Sequence, residues 1–240
     1  MAAVLSLALP AAATAARDFE RDPEVHAFVA EMRTRHGLPE AALRKAFHDA
    51  RYQPSVIRAV MPPRDPGIRS WQAYRARFVE PGRVLMGQRF RREHAAALAD
   101  ASARYGVPEE VVVAIIGVET IFGRHMGGYR AFDALATLAF GYPPRAELFR
   151  RELEELLLLA REEGRDPRDY KGSYAGALGL PQFLPSSRRR YAVDFDQDGR
   201  IDLARSPVDA IGSVARFLAD HGWRTGEPVL VPATANGGRV

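Results

Sequence analysis

Residues 111–128 read VVVAIIGVETIFGRHMGG. A nearly unbroken apolar run leads up to one carboxylate, Glu119, and Ile121 and Phe122 follow it closely. Pro108 suits a first helical position, Glu109 and Glu110 complement the positive end of a helix dipole, and Gly123 suits a left-handed stop. The stretch therefore reads as a helix with Glu119 in its last turn. Ile115, Ile116 and Phe122 then fall beside the acid at i−4, i−3 and i+3. Glutamate is seldom buried unless paired. Desolvation and the negative end of the helix dipole both disfavour the carboxylate and raise its pKa. A carboxyl that stays protonated near neutral pH is what a general acid on a glycosidic oxygen requires. The competing reading is a structural glutamate paired with an arginine such as Arg124. The helix pattern alone leaves both open.

Outward from this helix, helical signals dominate. Short amphipathic helices are expected from about Pro23 to Arg35 and from Pro39 to Ala50, separated by His36-Gly37. MPPRDPGIRSW, from Met61, carries three prolines and a glycine and reads as a loop. A third helix is expected from Arg91 to Tyr105, before Gly106. A fourth, from Arg145 to Glu163, carries Phe149, Leu153, Leu156, Leu157 and Ala160 on one stripe and stops at Gly164. A fifth runs from Ser206 to His221. No alternating run is long enough for a substantial sheet, and there is no internal repeat. The fold class is mainly α.

The composition fits a globular chain, 47% hydrophobic and 27% charged over 240 residues, long enough for a real core. The net charge is +4, and all but Lys45 and Lys171 of the 34 cationic residues are arginine. The longest basic run is Arg188-Arg189-Arg190, too sparse for a nucleic-acid footprint, so no nucleic-acid partner is expected. The absence of cysteine excludes disulfides, thiolate catalysis, cysteine zinc sites and attachment through a lipidated cysteine. At the N-terminus, the apolar run from Ala2 to Ala15 is shorter than the ~20 residues that span a bilayer. It resembles the apolar part of a secretory signal, with Ala13-Thr14-Ala15 as the cleavage site, so export is expected. A basic leader is missing from it. No G-x-S-x-G, H-E-x-x-H, P-loop or dinucleotide motif occurs. His125, near the acid, reads as a surface residue rather than a ligand.

Two further segments stand out. KGSYAGALGLPQFLPSS, residues 171–187, holds three glycines that permit close backbone approach, hydrogen-bonding side chains at Ser173, Tyr174 and Gln182, and a ring at Phe183 that could present a flat face to a sugar. Composition alone makes it a tight packed loop. DFDQDGRID, from Asp194, places side-chain oxygens at loop positions 1, 3, 5 and 9 and Gly199 at position 6. That is the EF-hand pattern, with Arg200 contributing its backbone carbonyl and Arg205 standing where a bidentate glutamate is usual. Ser206 to Asp209 also reads as a helix cap with a capping-box partner.

GVETIFGR, FDALATLAFGYPPRAELF, GSYAGALGLPQF with PSS, and YAVDFDQDGRIDL with SPVDAIGSVARFLADHGW follow one another in this order. Together with VIRAVMPPRDPGIRSWQAYRARFVEPGRV upstream, they strongly resemble the lytic murein transglycosylase B family from about Phe19 to Trp223. The resemblance implies a lysozyme-like helical core with an EF-hand-like loop and a small helical N-terminal subdomain. The divisions expected are a signal remnant at 1–15, the subdomain at 16–80 and a catalytic core at 81–240 containing the loop 194–209. It implies cleavage of peptidoglycan strands between N-acetylmuramic acid and N-acetylglucosamine without water, leaving 1,6-anhydro ends. One glutamate serves as acid and then base, a role that falls on Glu119, whereas ordinary glycosidases use two carboxylates. The resemblance places Tyr74, Arg145, Ser173, Gln182 and Phe183 in the substrate cleft, and Asp209 with Asp194, Asp196, Asp198 and Arg200 around a structural calcium ion. No cofactor is implied for catalysis. The expected protein is an exported, periplasmic monomer with no integral membrane segment. Departures are Pro144 where a second arginine is usual, Leu148 in place of an aromatic, Phe217 in place of a tyrosine, and a sequence that stops before the family's C-terminal segment. Two other readings are a muramidase that admits water and an inactive peptidoglycan-binding protein with a truncated cleft.

Overall fold

The computed structural model describes residues 18–62 and 70–230, which form helices joined by short turns. Asp22 opens α1 (Pro23–His36) by accepting the Glu24 N–H at 2.9 Å, and Gly37, at φ 65°, closes it. α2 (Glu40–His48) starts after Pro39, and α3 (Pro54–Val60) has proline in its first turn, where a missing N–H costs nothing. α4 (Trp71–Phe78) precedes α5 (Pro81–Glu93), and Glu80 caps α5 by accepting the N–H groups of Gly82 and Arg83 at 3.2 and 2.8 Å. Most of the expected proline-rich loop after Met61 lies outside the described residues, as do residues 1–15 with their signal-like run.

The helix expected from Arg91 to Tyr105 is two helices. The chain turns at His94, φ −118° and ψ 26°, and α6 (Ala95–Tyr105) then runs to Gly106 at φ 71°. The break is hidden in the sequence because His94 still donates to the Phe90 carbonyl at 3.0 Å and accepts from Leu98 at 3.0 Å. α7 (Glu109–Thr120) follows, then a two-residue strand β1 (Tyr129–Arg130), α8 (Ala131–Gly141) and α9 (Ala146–Glu162). β2 (Lys171–Gly172) pairs antiparallel with β1, Tyr129 facing Gly172. α10 (Pro185–Tyr191) and α11 (Pro207–Asp220) complete the order.

Two buried clusters hold these elements. The first joins α1, α2, α3, α8 and α9, with an aromatic knot of Phe19, Phe28, Phe47, Phe132 and Phe140 whose neighbouring rings lie 5.2 to 6.5 Å apart in edge or tilted contact. The N-terminal helices therefore share a core with α8 and α9. The predicted α9 stripe is wholly buried there, from Phe149 to Ala160. The second cluster joins α5, α6, α7 and α11 with Leu180 and Phe195. Leu178 belongs to the first cluster and Leu180 to the second, so the 171–183 loop stitches the two together. Gly179 between them sits at φ 71°, and a Cβ there would lie 2.5 Å from the Leu203 carbonyl oxygen. No helix among the described residues is long and apolar enough to cross a membrane.

Candidate active site

α7 is apolar around most of its circumference. Val112, Val113, Ile116, Gly117 and Thr120 are buried against α5, α6 and α11, while Ala114, Val118 and Glu119 stand open. The helix stops at Thr120, earlier than the glycine signal at 123. Three successive residues then adopt left-handed backbone: Ile121 at φ 52°, Phe122 at 56° and Gly123 at 86°. For β-branched Ile121 this conformation is rare, and each such non-glycine residue costs on the order of 1–3 kcal/mol. Packing holds it there. The Phe122 ring folds back over Gly117, where a Cβ would come within 2.7 Å of it, and lies 5.1 Å from the Phe90 ring.

Among the described residues Glu119 makes no hydrogen bond or ion pair, and Arg124 is not its partner. The residue is open to solvent, and partial burial of its carboxyl among neighbouring protein atoms raises its pKa above the ordinary carboxylate value. Burial is the one cause resolved, so no charged neighbour sets the shift. An unpaired, partly desolvated acid is the arrangement a proton donor needs.

The turn after α7 leads into a groove of about 560 Å³ whose lining runs from Gly123 to Tyr129 and across to Ser173, Tyr174 and Gln182. Gly127 lets the two walls meet, since a Cβ there would lie 2.2 Å from the Gly172 carbonyl oxygen. The Ser173 Oγ accepts the N–H groups of Ala175 and Ala177 at 3.3 and 3.1 Å, which leaves its own proton free to donate into the groove. The Gln182 Nε2 donates to the carbonyls of Met126 and Gly179 at 3.2 and 2.9 Å. Both amide protons are thus engaged in bracing the walls, and Oε1 is the atom left for a ligand. His125 is exposed on the same lining, as a surface residue.

Phe183 corrects the sequence reading. It is only 7% exposed, with its ring 5.3 Å from that of Phe217, because the bridge between Leu178 and Phe183 turns it inward over Leu203. It supports the wall from behind and offers no face to a sugar. Tyr74 lies on α4, 52% exposed, between Trp71 at 6.0 Å and Phe78 at 4.8 Å, while α4 buries none of its own residues. Arg145 is exposed in the short turn before α9, its guanidinium 5.6 Å from the Phe149 ring. Tyr174 lines the groove and is 39% exposed, which fits the hydrogen-bonding side chain read at that position in the sequence.

The aspartate loop brings carboxylate oxygens of Asp194, Asp196 and Asp209 within 4.8 Å of one another. Asp209 is buried, accepts the N–H groups of Phe195 and Asp202 at 2.8 Å each, and has its pKa raised chiefly by burial. Ser206 caps α11 as expected, accepting the Asp209 N–H at 3.1 Å. Asp198 stands outside the three-carboxylate group. Its side chain accepts from the Arg200 N–H and guanidinium at 2.9 and 3.1 Å.

Residues 20–239 match the family described as Transglycosylase SLT domain. The chain is 46% identical over 225 residues to membrane-bound lytic murein transglycosylase B of Escherichia coli strain K12, covering 90% of this chain and 62% of that protein. It therefore spans less than two thirds of that relative's length. Soluble lytic transglycosylase SltB1 from Pseudomonas aeruginosa superposes with a TM-score of 0.83 at 52% identity, over 86% of this chain and 69% of that one. E. coli lytic transglycosylase Slt35 in complex with calcium gives 0.81 at 46% identity, over 88% and 67%. P. aeruginosa SltB3 in complex with NAG-anhNAM-pentapeptide gives 0.78 at 34% identity, over 88% and 55%. The match to the family runs through both buried clusters and the groove between the 123–129 turn and the 171–183 loop, and the chain belongs to the Transglycosylase SLT domain family.

Proposed function

We propose that this protein is a peptidoglycan lytic transglycosylase in which Glu119 is the sole acid and base. The observation that carries the reading is the partly desolvated carboxyl of Glu119, without a partner among the described residues, on a strained helix end whose following turn lines a groove with Ser173 and Gln182. Protonated Glu119 gives its proton to the glycosidic oxygen as the bond from C1 of N-acetylmuramic acid breaks. The resulting carboxylate then takes the proton of that sugar's C6 hydroxyl as O6 bonds to C1. Glu119 ends as it began, no water is consumed, and the product is a 1,6-anhydro end. The attack is intramolecular, so its effective concentration exceeds that of an external nucleophile, and a second carboxylate is unnecessary.

Ser173 donates its free proton to a carbonyl of the substrate, such as the 2-acetamido oxygen, and Gln182 accepts through Oε1. Tyr74 stacks on a saccharide ring from α4, and Arg145 contacts a carboxylate of the peptide stem or a sugar oxygen. A peptidoglycan substrate lies outside the cytoplasm, so the proposal includes export to the periplasm. The SltB3 complex with an anhydro-sugar peptide supports the class of ligand.

The donor set of the aspartate loop fits a hard cation, with carboxylate oxygens of three residues within 4.8 Å of one another. We assign calcium there as a structural ion held by Asp194, Asp196 and Asp209, with the Arg200 carbonyl as a further donor and Asp198 kept back by Arg200. It would neutralise the converging charges and fix the loop to α11. A relative's structure with calcium supports this choice of ion.

Mass spectrometry of digested sacculi tests the activity. Muropeptides from the parent protein should be lighter by one water than hydrolysis products and lack a reducing end. Hydrated, reducing products that depend on Glu119 would make the protein a muramidase instead.

A further inference from the structure

Thr120, the residue after the acid, is fully buried and carries bonds that the reaction above does not use. Its hydroxyl oxygen lies 2.9 Å from the Leu180 carbonyl and 3.3 Å from the Ile116 carbonyl, and it accepts the Gly123 N–H at 3.0 Å. A hydroxyl has one proton to give. The shorter contact, to Leu180, receives it, and the longer one is the usual approach of a threonine to its own helix. One side chain thus joins three pieces: the last turn of the helix that bears Glu119, the left-handed run that ends at Gly123, and the loop that bears Gln182. The far side of that loop is itself fixed, since Leu180 donates its N–H to the Leu203 carbonyl at 2.8 Å. The Thr120 carbonyl accepts the His125 N–H at 2.9 Å, so the turn that becomes the groove wall closes onto the same residue.

A buried apolar side chain of the same shape would fill this space equally well but would leave the Leu180 carbonyl and the Gly123 N–H without their partner. The N–H groups of Ile121 and Phe122 close back onto the Gly117 and Ile116 carbonyls at 3.2 and 3.4 Å, whereas the Gly123 N–H, where the turn leaves the helix, is held by the Thr120 side chain. Glu119 is the residue before Thr120, and among the described residues it has no partner of its own to orient it.

We infer that Thr120 is a positioning residue, whose hydroxyl sets the distance between the Glu119 carboxyl and the substrate wall at 180–182. This rests on the reading of Glu119 as the acid and base. Displacing a reacting group by about 1 Å can cost ~100-fold in rate without weakening binding. The test compares Thr120→Val, which keeps the branched shape, with Thr120→Ser, which keeps the hydroxyl, on soluble uncrosslinked glycan chains, following formation of anhydro ends. Thr120→Val should lower turnover at saturation about 10- to 100-fold while the half-saturating concentration stays within about threefold, and Thr120→Ser should stay within about threefold of the parent in both. If the valine variant does not fold, Thr120→Ala against Thr120→Ser gives the same comparison, and serine must then exceed alanine by about tenfold. Parental turnover in Thr120→Val, or serine as slow as valine, overturns the inference and leaves Glu119 in place. Activity persisting in Glu119→Gln, measured alongside, overturns the assignment of the acid and this inference with it.

Discussion

Beyond the acidic first turn of α7, α7 and α8 are both strongly apolar helices with a single further carboxylate each, Glu119 and Asp133, and the two acids sit in opposite surroundings. Every residue of α8 from Ala131 to Phe140 is buried, Asp133 included. Asp133 lies 3.1 Å from the Arg130 guanidinium, and although burial dominates and raises its pKa, Arg130 and bonds from Arg51 and Gln53 pull it the other way. α7 leaves Ala114, Val118 and Glu119 uncovered, and nothing opposes the effect of burial on its acid. Similar sequences thus give a central pillar in one place and the edge of a cleft in the other. Burial raises both acids, but around Asp133 the Arg130 charge and the bonds from Arg51 and Gln53 oppose the shift, and around Glu119 nothing among the described residues does.

Removing each carboxylate breaks the comparison most sharply. Glu119→Gln should lower the rate of anhydro-end formation by about 1,000-fold, within the range of general acid–base catalysis, while the circular dichroism spectrum stays that of the parent. Asp133→Ala should do the reverse. Arg130 and the donors at 51 and 53 lose their acceptor inside the first cluster, costing about 3 kcal/mol. A fall in melting temperature of about 6–12 °C follows, with specific activity of the folded fraction unchanged. A large activity loss in Asp133→Ala at parental stability would show that the two acids do not divide the work this way.

Calcium should sharpen the contrast between the two clusters. Phe195, inside the aspartate loop, packs in the second cluster with α6, α7 and α11 and makes no part of the first. An ion that binds the native state alone stabilises it by mass action, by about 2.7 kcal/mol at a hundred times its dissociation constant. Thermal unfolding should shift upward by about 5–10 °C, and Asp196→Ala should abolish the shift. Hydrogen exchange should show the gained protection concentrated in the loop and α11. Identical melting with calcium and with chelator would remove the ion from the assignment.

The smallest effect concerns the raised pKa of Glu119. Below the ordinary carboxylate range the acid is protonated both folded and unfolded, so its desolvation costs nothing. As pH rises through the unfolded value toward the raised folded value, the cost of a charged, partly buried group accumulates. Glu119→Gln should therefore match the parent in stability at acidic pH and exceed it near neutrality. Because the side chain is open to solvent, the gain should be under about 2 °C. Activity of the parent should fall as pH rises through the same folded pKa, where the proton donor is lost.

Much of this was legible in the sequence because it depended on local chemistry. The stripe from Phe149 to Ala160, the glycine stops at 37, 106 and 164, and the Ser206 cap each follow from a helix meeting water on one side. α8 was not legible as a helix from its pattern, because a helix buried all round has no polar face to mark its period. The break at His94 left no trace because its hydrogen bonds continue across it. α4 carries its aromatic rings on a helix that buries none of its residues, so no core-facing stripe announced it.

The site divided in the same way. The sequence by itself determined that Glu119 ends an apolar helix and that a small-residue loop with Ser173 and Gln182 lies downstream, because residue type and spacing along one chain carry that information. It also determined the aspartate spacing of the loop from Asp194. Only the tertiary structure decided that Glu119 has no partner among the described residues, that Phe183 turns inward, that Asp198 stands apart from Asp194, Asp196 and Asp209, and that Thr120 ties the end of α7 to the loop sixty residues away. Pairing, desolvation and side-chain direction depend on which segments pack together. That is settled by burying both hydrophobic clusters at once, which no local pattern encodes.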